Sequence, residues 1–297
     1  MTAPLVTLVT PSFNQAAFLE EAIESVLAQD YVALEYAVVD GGSTDGSVDV
    51  IRRYEDRLAW WTSGPDGGQA AALNTAFARA RGEILGWLGS DDALLPGAVT
   101  RVVSELARKH DALLVYGGAL FVDEQGREIF PLDPRPFDVE TMVRTCANHV
   151  VQPGSLFRRR AYELAGPFDE RGYYFFDFEF VLRLAQAAPG SVRAIDERLA
   201  TYRVHPDSKS AGAPAAKARD YVRFADEFLA RSDLPGAHAG RRSAYLAAGE
   251  YFYHALELGP ARRYLLRGLR PSPRPLGLLA RSFLPRALVV RAKAARG

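Results

Sequence analysis

The most constraining feature of this sequence is a rhythm repeated four times in its first hundred residues. An apolar run ends in a turn rich in glycine, aspartate or serine, and apolar residues at three- and four-residue steps follow. Residues 5–10 stop at Pro11 and lead to Phe18, Leu19, Ala22, Ile23, Val26 and Leu27, with Glu20 and Glu21 expected in the first helical turn, where the dipole favours acids. Residues 36–39 end at Asp40, turn through 41–46 and open a helix over 47–54. Residues 58–62 lead through the loop 64–68 to a helix over 69–80, and 84–88 form the fourth run. Strands that alternate with helices need right-handed parallel crossovers, so the pattern predicts a mostly parallel α/β sheet flanked by helices on both faces.

In such sheets ligands collect beyond the carboxyl ends of the strands. Those ends carry Asp40, Asp66, Asp91 and Asp92. Several carboxylates on one edge repel one another unless a cation or hydrogen-bond donors sit among them. Paired carboxylates suit a hard divalent ion that keeps substrate phosphates as further ligands, and a nucleotide–metal complex would supply both. The simpler alternative has Asp91 and Asp92 capping the helix after Pro96. Glycines 41, 42, 46, 67 and 68 would let backbone approach a ligand. No G-x-G-x-x-G follows the first strand and no G-x-x-x-x-G-K-[ST] occurs, which disfavours a dinucleotide fold and a P-loop.

From residue 113 the rhythm changes. Residues 113–122 and 128–130 read as strands around the turn 123–126, 155–157 as a strand, 176–187 as a helix, and 193–195 and 199–204 as short strands. After a loop over 206–214 the pattern is wholly helical. The expected organisation is a body over 1–212, made of halves 1–110 and 111–212, and an all-helical C-terminal appendage over 213–297. The helix pair over 241–269 is like one hairpin of a tetratricopeptide repeat, and a single copy is no array.

Composition narrows the class further. A single cysteine, Cys146, excludes an intrachain disulfide and a Cys-rich zinc site and reads as a small buried apolar residue. Residues 1–4 run straight into a strand, so no signal peptide is expected, and no run of 18 apolar residues suggests a membrane span. The net charge of zero hides an asymmetry: the last 40 residues carry +10 and the first 257 carry −10. In the tail, Leu276, Leu279, Phe283, Leu284, Leu288 and Val289 interleave with Arg281, Arg286, Arg291 and Lys293. That makeup fits an interfacial helix on anionic lipid, or equally a helix packed on the body with solvated arginines. Nucleic acid is disfavoured, since no recognition motif or stacking platform accompanies the charge.

Four motifs together resemble the family 2 glycosyltransferases over residues 4–210. They are Thr10-Pro11-Ser12-Phe13-Asn14, Val39-Asp40-Gly41-Gly42-Ser43-Thr44-Asp45-Gly46-Ser47, Pro65-Asp66-Gly67-Gly68-Gln69 and Trp87-Leu88-Gly89-Ser90-Asp91-Asp92. The resemblance implies a GT-A (Rossmann-like) fold and inverting transfer from a nucleotide-diphosphate sugar. It also implies roles. Pro11, Ser12 and Asn14 would line the nucleotide pocket, Asp40 would accept from the base edge, and Asp66 with Gln69 would flank base and ribose. Ser90-Asp91-Asp92 matches the family's D-x-D-type motif with Ser90 in its first position. Asp91 would face ribose and sugar, and Asp92 would hold Mg²⁺ or Mn²⁺. The segment Phe176-Asp177-Phe178-Glu179 resembles the family's base-bearing segment, with Asp177 as general base, Phe176 replacing the usual acidic residue and Glu179 as competitor. Tyr202-Arg203-Val204-His205 resembles a late segment in which His205 completes the metal shell and Arg203 steadies the diphosphate. Gln152 and Ser155 would lie in an acceptor-side loop.

The expected activity is metal-dependent transfer of a sugar, from a UDP- or dTDP-type donor, to a hydroxyl of a glycan or lipid-linked acceptor in polysaccharide or cell-envelope synthesis. The expected place is the cytoplasm, against the inner face of the cytoplasmic membrane where the basic tail meets lipid. Two rivals remain at this point. A metal-dependent nucleotidyltransferase would carry a Gly- and Lys/Arg-rich loop after the first strand, where this chain has Pro11-Ser12-Phe13-Asn14; a non-catalytic sugar-nucleotide-binding module would not need Asp92, Asp177 and His205.

Overall fold

The computed structural model describes residues 3–209, 213–269 and 273–284. Ser210 and the tail positions Arg270, Arg286, Leu288, Val289, Arg291, Lys293 and Arg296 lie outside the described residues. The chain divides into two compact units, residues 1–137 with 148–208 and residues 138–147 with 209–297.

In the first unit, β1 (Val6–Ser12), β2 (Leu34–Asp40), β3 (Trp60–Ser63) and β4 (Ile84–Trp87) are joined by α1 (Ala16–Leu27), α2 (Ser47–Arg53) and α3 (Gln69–Arg79). They pair in the order β3-β2-β1-β4, every pairing parallel. The register sets Ser12, Asp40 and Ser63 side by side at the carboxyl edge. Next come β5 (Ala93–Leu94), α4 (Ala98–Arg108), β6 (Leu114–Val122) and β7 (Glu128–Leu132). The chain then leaves the unit through α5 (Val139–Thr145) and returns as β8 (Leu156–Arg158), α6 (Arg159–Ala165), α7 (Phe176–Ala187) and β9 (Val192–Arg203). These strands extend the sheet as β4-β8-β6-β9-β5, with β7 beside β6. Here only β6–β9 is parallel.

The two faces of the sheet differ chemically. One is aliphatic: Leu19, Ile23 and Val26 of α1 and Val99, Val102 and Leu106 of α4 pack on Leu8, Val38, Ile84 and Val115. The other is aromatic. Phe77, Phe157, Tyr162, Phe168 and Phe180 meet at ring centroid separations of 5.0 to 6.2 Å. Each such pair contributes about 1 kcal/mol beyond the area it buries. Phe176, the first residue of α7, lies 5.2 Å from Phe168 and 6.1 Å from Trp87, the last residue of β4. The start of α7 is thereby fastened to the end of β4. Gly86 lets the strands close up, since a Cβ there would stand 2.4 Å from the Leu156 side chain.

At the opposite end of β2 sits a buried acid. Glu35 accepts from Thr7 Oγ1 at 2.5 Å, Arg81 N at 2.8 Å and Arg81 Nε at 2.6 Å. Burial pushes its carboxyl up, but these donors and the Arg81 charge outweigh that and hold it below the usual range.

Three sequence expectations are revised. Pro11 does not stop β1, which runs on to Ser12. Val9 faces β4, its carbonyl accepting from Leu88 N, and Pro11 faces the same side two residues later. By then β4 has ended, so the missing N–H costs no ladder bond. Glu20 and Glu21 lie beyond the first turn of α1, which begins at Ala16. The two short strands expected over 193–204 are one strand, whose register against β6 shifts at Gly117 and Gly118, and that bulge interrupts the alternation.

The second unit is helical. It contains α5, α8 (Pro214–Arg223), a π-helical turn at Phe224–Phe228, α9 (Ala237–His254), α10 (Leu258–Gly268) and α11 (Pro273–Ser282). Ala218, Ala248, Phe252, Tyr253 and Ala261 form its core. Asp138 caps α5, accepting from Thr141 N at 3.0 Å. Cys146, buried as the sequence suggests, donates to the Gly240 carbonyl at 3.1 Å. Among the described residues no helix is long and apolar enough to cross a membrane.

Candidate active site at the carboxyl edge of the sheet

Asp40 ends β2 and is buried. Its Oδ2 accepts from Gly42 N at 3.0 Å, Ser43 N at 2.9 Å and Ser63 Oγ at 2.7 Å, and its Oδ1 accepts from Ser43 Oγ. A carboxylate has about four lone-pair places, so the turn after β2 and Ser63 of β3 together take nearly all of them. The expected contact with a base edge is left at most one place on Oδ1. Asn14 sits in the left-handed region at φ 52, where Asn is tolerated, and ties the β1 turn to the β2 turn. Its N–H donates to Ser43 Oγ at 2.8 Å and its Oδ1 accepts from Thr44 N at 3.0 Å.

Pro11 and Ser12 close β1, both buried. Ser12 Oγ is buried without a hydrogen-bond partner. Buried hydroxyls are almost always bonded, so this one retains a hydrogen bond to offer a polar group such as water or a ligand atom. Asp66 is exposed, accepting from Gly68 N at 2.7 Å and facing Gly41, where an added Cβ would stand 3.2 Å from its Oδ2 and 3.3 Å from the Phe13 ring. Gln69 opens α3 directly after this loop.

Asp91 and Asp92 curl around Gly89. A Cβ at Gly89 would lie 2.8 Å from Asp91 Oδ1 and 3.0 Å from Asp92 Oδ2, so only glycine lets both carboxylates fold back there. His205 is buried against Phe18 and places Nε2 3.2 Å from Asp91 Oδ2. Asp92 is buried, and its Oδ1 accepts from Arg203 N at 3.0 Å. Burial drives its carboxyl well above the usual range, the charge of Asp91 adds to this, and Arg203 offsets only part. A cation between these groups would relieve both causes. Among the described residues no group of three or more His, Cys, Asp or Glu side chains is placed to hold a metal ion. Asp92 and His205 flank Asp91 as an oxygen and a nitrogen donor, a pair that would take a hard cation only with further oxygen ligands from a substrate.

Arg203, expected at the diphosphate, is turned inward. It is buried, with Nε donating to the Asp91 carbonyl at 3.0 Å, Nη1 to the carbonyls of Asp123 and Glu124 at 3.0 and 3.2 Å, and Nη2 to Glu21 Oε2 at 2.6 Å. Four of its five donors are committed, so it braces the carboxylate pair rather than reaching for substrate. Gln152 and Ser155, expected to meet an acceptor, likewise serve the end of β4. Gln152 Nε2 donates to the Trp87 carbonyl at 2.6 Å, and Ser155 Oγ donates to the Gln152 carbonyl at 2.7 Å.

Asp177 stands in the first turn of α7, half-buried, its Oδ1 accepting from Phe178 N at 2.8 Å. Glu179 is buried two residues on and acts electrostatically on Arg183, so of the two acids Asp177 is the one with surface in solvent. Asn148, which no sequence signal singled out, donates through Nδ2 to Asp177 Oδ2 at 3.4 Å. Its Oδ1 accepts from Val150 N at 3.0 Å, which fixes which end of the amide faces the acid.

Known proteins are similar to this chain in sequence and in fold. The family model described as "Glycosyl transferase family 2" matches residues 7–164, from β1 into α6. An uncharacterized glycosyltransferase of Rickettsia typhi is 26% identical over 240 residues, 76% of this chain and 72% of that protein. The chondroitin synthase of Pasteurella multocida is 30% identical over 186 residues, 62% of this chain and 19% of the synthase, so this chain matches about a fifth of that protein. Among solved structures, the mannosyltransferase PcManGT from Pyrobaculum calidifontis, in complex with GDP-Man and Mn²⁺, has a TM-score of 0.60 at 22% identity, covering 99% of this chain and 81% of the other. S. aureus TarS 1–349 in complex with UDP-GlcNAc has a TM-score of 0.59 at 16% identity, covering 98% and 87%. At such identities the two structures speak for the fold, which is GT-A. The family match takes in Asp40, Asp66, Asp91 and Asp92 and spans more than half of the chain, and on that ground this chain belongs to glycosyl transferase family 2.

Proposed function

We propose that this chain is an inverting, divalent-metal-assisted glycosyltransferase that moves a sugar from a UDP- or dTDP-type donor to a hydroxyl of a glycan or lipid-linked acceptor. The observation that carries this reading is the crowded pair Asp91 and Asp92, with Asp92 pushed towards protonation and His205 alongside. Such a pair stands ready to bind a cation and, with it, a diphosphate. The orphaned Ser12 hydroxyl supports a polar ligand at the same edge of the sheet. The relatives named as polysaccharide synthases support a glycan acceptor. The two structural neighbours carry different bases, so the fold leaves the base open.

In this reading Asp177 accepts the proton of the acceptor hydroxyl as its oxygen attacks the anomeric carbon. The bond from that carbon to the diphosphate breaks with inversion, and the nucleoside diphosphate leaves. Asp92 and His205, with Asp91 beside them, would hold a divalent ion, which when bound would supply Lewis acidity towards the leaving diphosphate. Arg203 keeps Asp92 in place through its backbone N–H, and Asn148 holds Asp177 facing the acceptor.

The test is Asp177→Asn. It should bind donor with Mn²⁺ as wild type does, by thermal shift across a panel of UDP-, dTDP- and GDP-sugars. It should lose transfer by roughly 10²–10⁴-fold. Transfer that survives removes Asp177 from the base role. A wild type stabilised by no nucleotide sugar defeats the reading as a whole.

A further inference from the structure

The second unit ends on a surface that the transfer reaction does not use. Leu266 on α10, Leu276 on α11, and Phe283 and Leu284 just beyond it leave between 43% and 63% of their surface in solvent. Arg262 connects the two segments. Its Nε donates to the Ser282 carbonyl at 3.0 Å, and its guanidinium lies 4.9 Å over the Phe283 ring. Leu266 is one turn along α10 from Arg262 and so shares its face. A largely apolar strip thus runs along both segments, with guanidinium groups set into it.

The charge around the strip has one sign. After Glu257 there are ten basic residues and no acidic one. The preceding acids are occupied: Glu250 pairs with Arg274, and Glu257 with Arg219 at 3.0 Å. Arg262, Arg263 and Arg281 have no carboxylate partner among the described residues. A second copy of the chain would bring this surface against its own charge. An RNA strand would satisfy the arginines and leave the leucines and the phenylalanine in water. One occupant satisfies both kinds of group: a bilayer with acidic headgroups, which offers phosphates to guanidinium groups and an acyl boundary to Leu and Phe. Residues 285–297 continue the composition, with Leu288, Val289 and Val290 among four further basic residues.

We infer that the end of the second unit rests on an anionic lipid surface, with Phe283 and Leu284 entering the headgroup–acyl boundary and Arg263 and Arg281 bonding lipid phosphates. No described helix is long and apolar enough to cross a membrane, and the inferred contact is a peripheral one. This inference is independent of the donor site, and its failure would leave the transferase reading untouched.

The experiment is co-sedimentation of the full chain with vesicles of phosphatidylglycerol and phosphatidylcholine, against vesicles of phosphatidylcholine alone. Binding is expected to the acidic vesicles and not the neutral ones, and to weaken as salt shortens the Debye length. Arg263→Gln with Arg281→Gln should weaken it about 25-fold, about fivefold for each arginine near such a surface. Phe283→Ser with Leu284→Ser should weaken it about tenfold or more. Both double variants lie outside the catalytic machinery and should keep donor binding, which separates a lost surface from a lost fold. Equal binding to neutral vesicles, or no binding to either, overturns the inference. Binding that Phe283→Ser with Leu284→Ser leaves unchanged, and that RNA displaces, marks a plain polyanion site and overturns it as well.

Discussion

Asp40, the last residue of β2, and Asp92, in the loop that follows β4, are the same residue type beyond the same edge of one sheet, and they do opposite things. At the end of β2, four donors from the adjoining turn and from Ser63 surround Asp40. Its charge is spent inside the protein. Beyond the end of β4, Asp92 is also buried but has one backbone donor, Arg203 N, and a second carboxylate for a neighbour. Its charge is left over. A saturated carboxylate builds a loop, whereas an undersaturated pair stores a need that a cation and its ligand can meet.

Asp92→Asn gives the largest test of that contrast. Transfer should fall on the order of 10³-fold, since several kcal/mol of charge stabilisation would go. The metal-free protein should become more stable, because the amide still accepts from Arg203 N and no longer ionises. The sign follows from the raised carboxyl. A folded-state value above the unfolded one makes the native state bind its proton more tightly, so that stability is present below the ordinary carboxylate range, about 4, and is lost as pH rises through the raised value. Melting scans at pH 8 without metal should therefore show Asp92→Asn above wild type. A lower melting temperature would make Asp92 a structural acid like Asp40.

Asp40→Ala should behave the other way. It strands buried donors in the turn after β2, at about 3 kcal/mol in total. For a body of this size that lowers the melting temperature by roughly 6–12 °C. Unchanged stability with collapsed donor binding would move Asp40 from loop builder to ligand contact.

The smallest effect is expected at the other end of β2, where Glu35 is saturated like Asp40 but far from the site edge. Glu35→Gln should cost about 1 kcal/mol at neutral pH. The folded carboxyl lies below the ordinary glutamate value, about 4.3, so its contribution is present above that value and lost as pH falls through the folded one. Urea titrations from pH 7 to pH 3 should show wild type and Glu35→Gln converging at the acid end, with transfer at neutral pH unaltered.

Much of the first half of the body was legible in the sequence because its contacts are local. Each βα unit of residues 5–92 sets its own strand, turn and helix through apolar spacing and a few glycines, and a parallel sheet assembles such units in a stereotyped way. The second half was read in pieces. Its strands pair across long separations, as β4 does with β8 and β6 with β9, and the bulge at Gly117 and Gly118 hides one strand as two. That α5 belongs with the helical unit could not be read either, because its Asp138 cap is a local signal while its packing on α9 is not.

The site divides along the same line. Sequence alone determined which residue types stand at the strand ends, that four motifs occur in one order, and that the tail carries a single sign of charge, since each is a property of neighbours along the chain. Tertiary structure decided what those residues are free to do. It spent Asp40 on its turn, turned Arg203 and Gln152 inward and set Asn148 against Asp177. It also fastened α7 to β4 through Phe176 on Trp87. The physical reason is that a side chain's availability is what remains after its hydrogen bonds and desolvation are accounted for, and those depend on partners that in this fold lie up to 182 residues away.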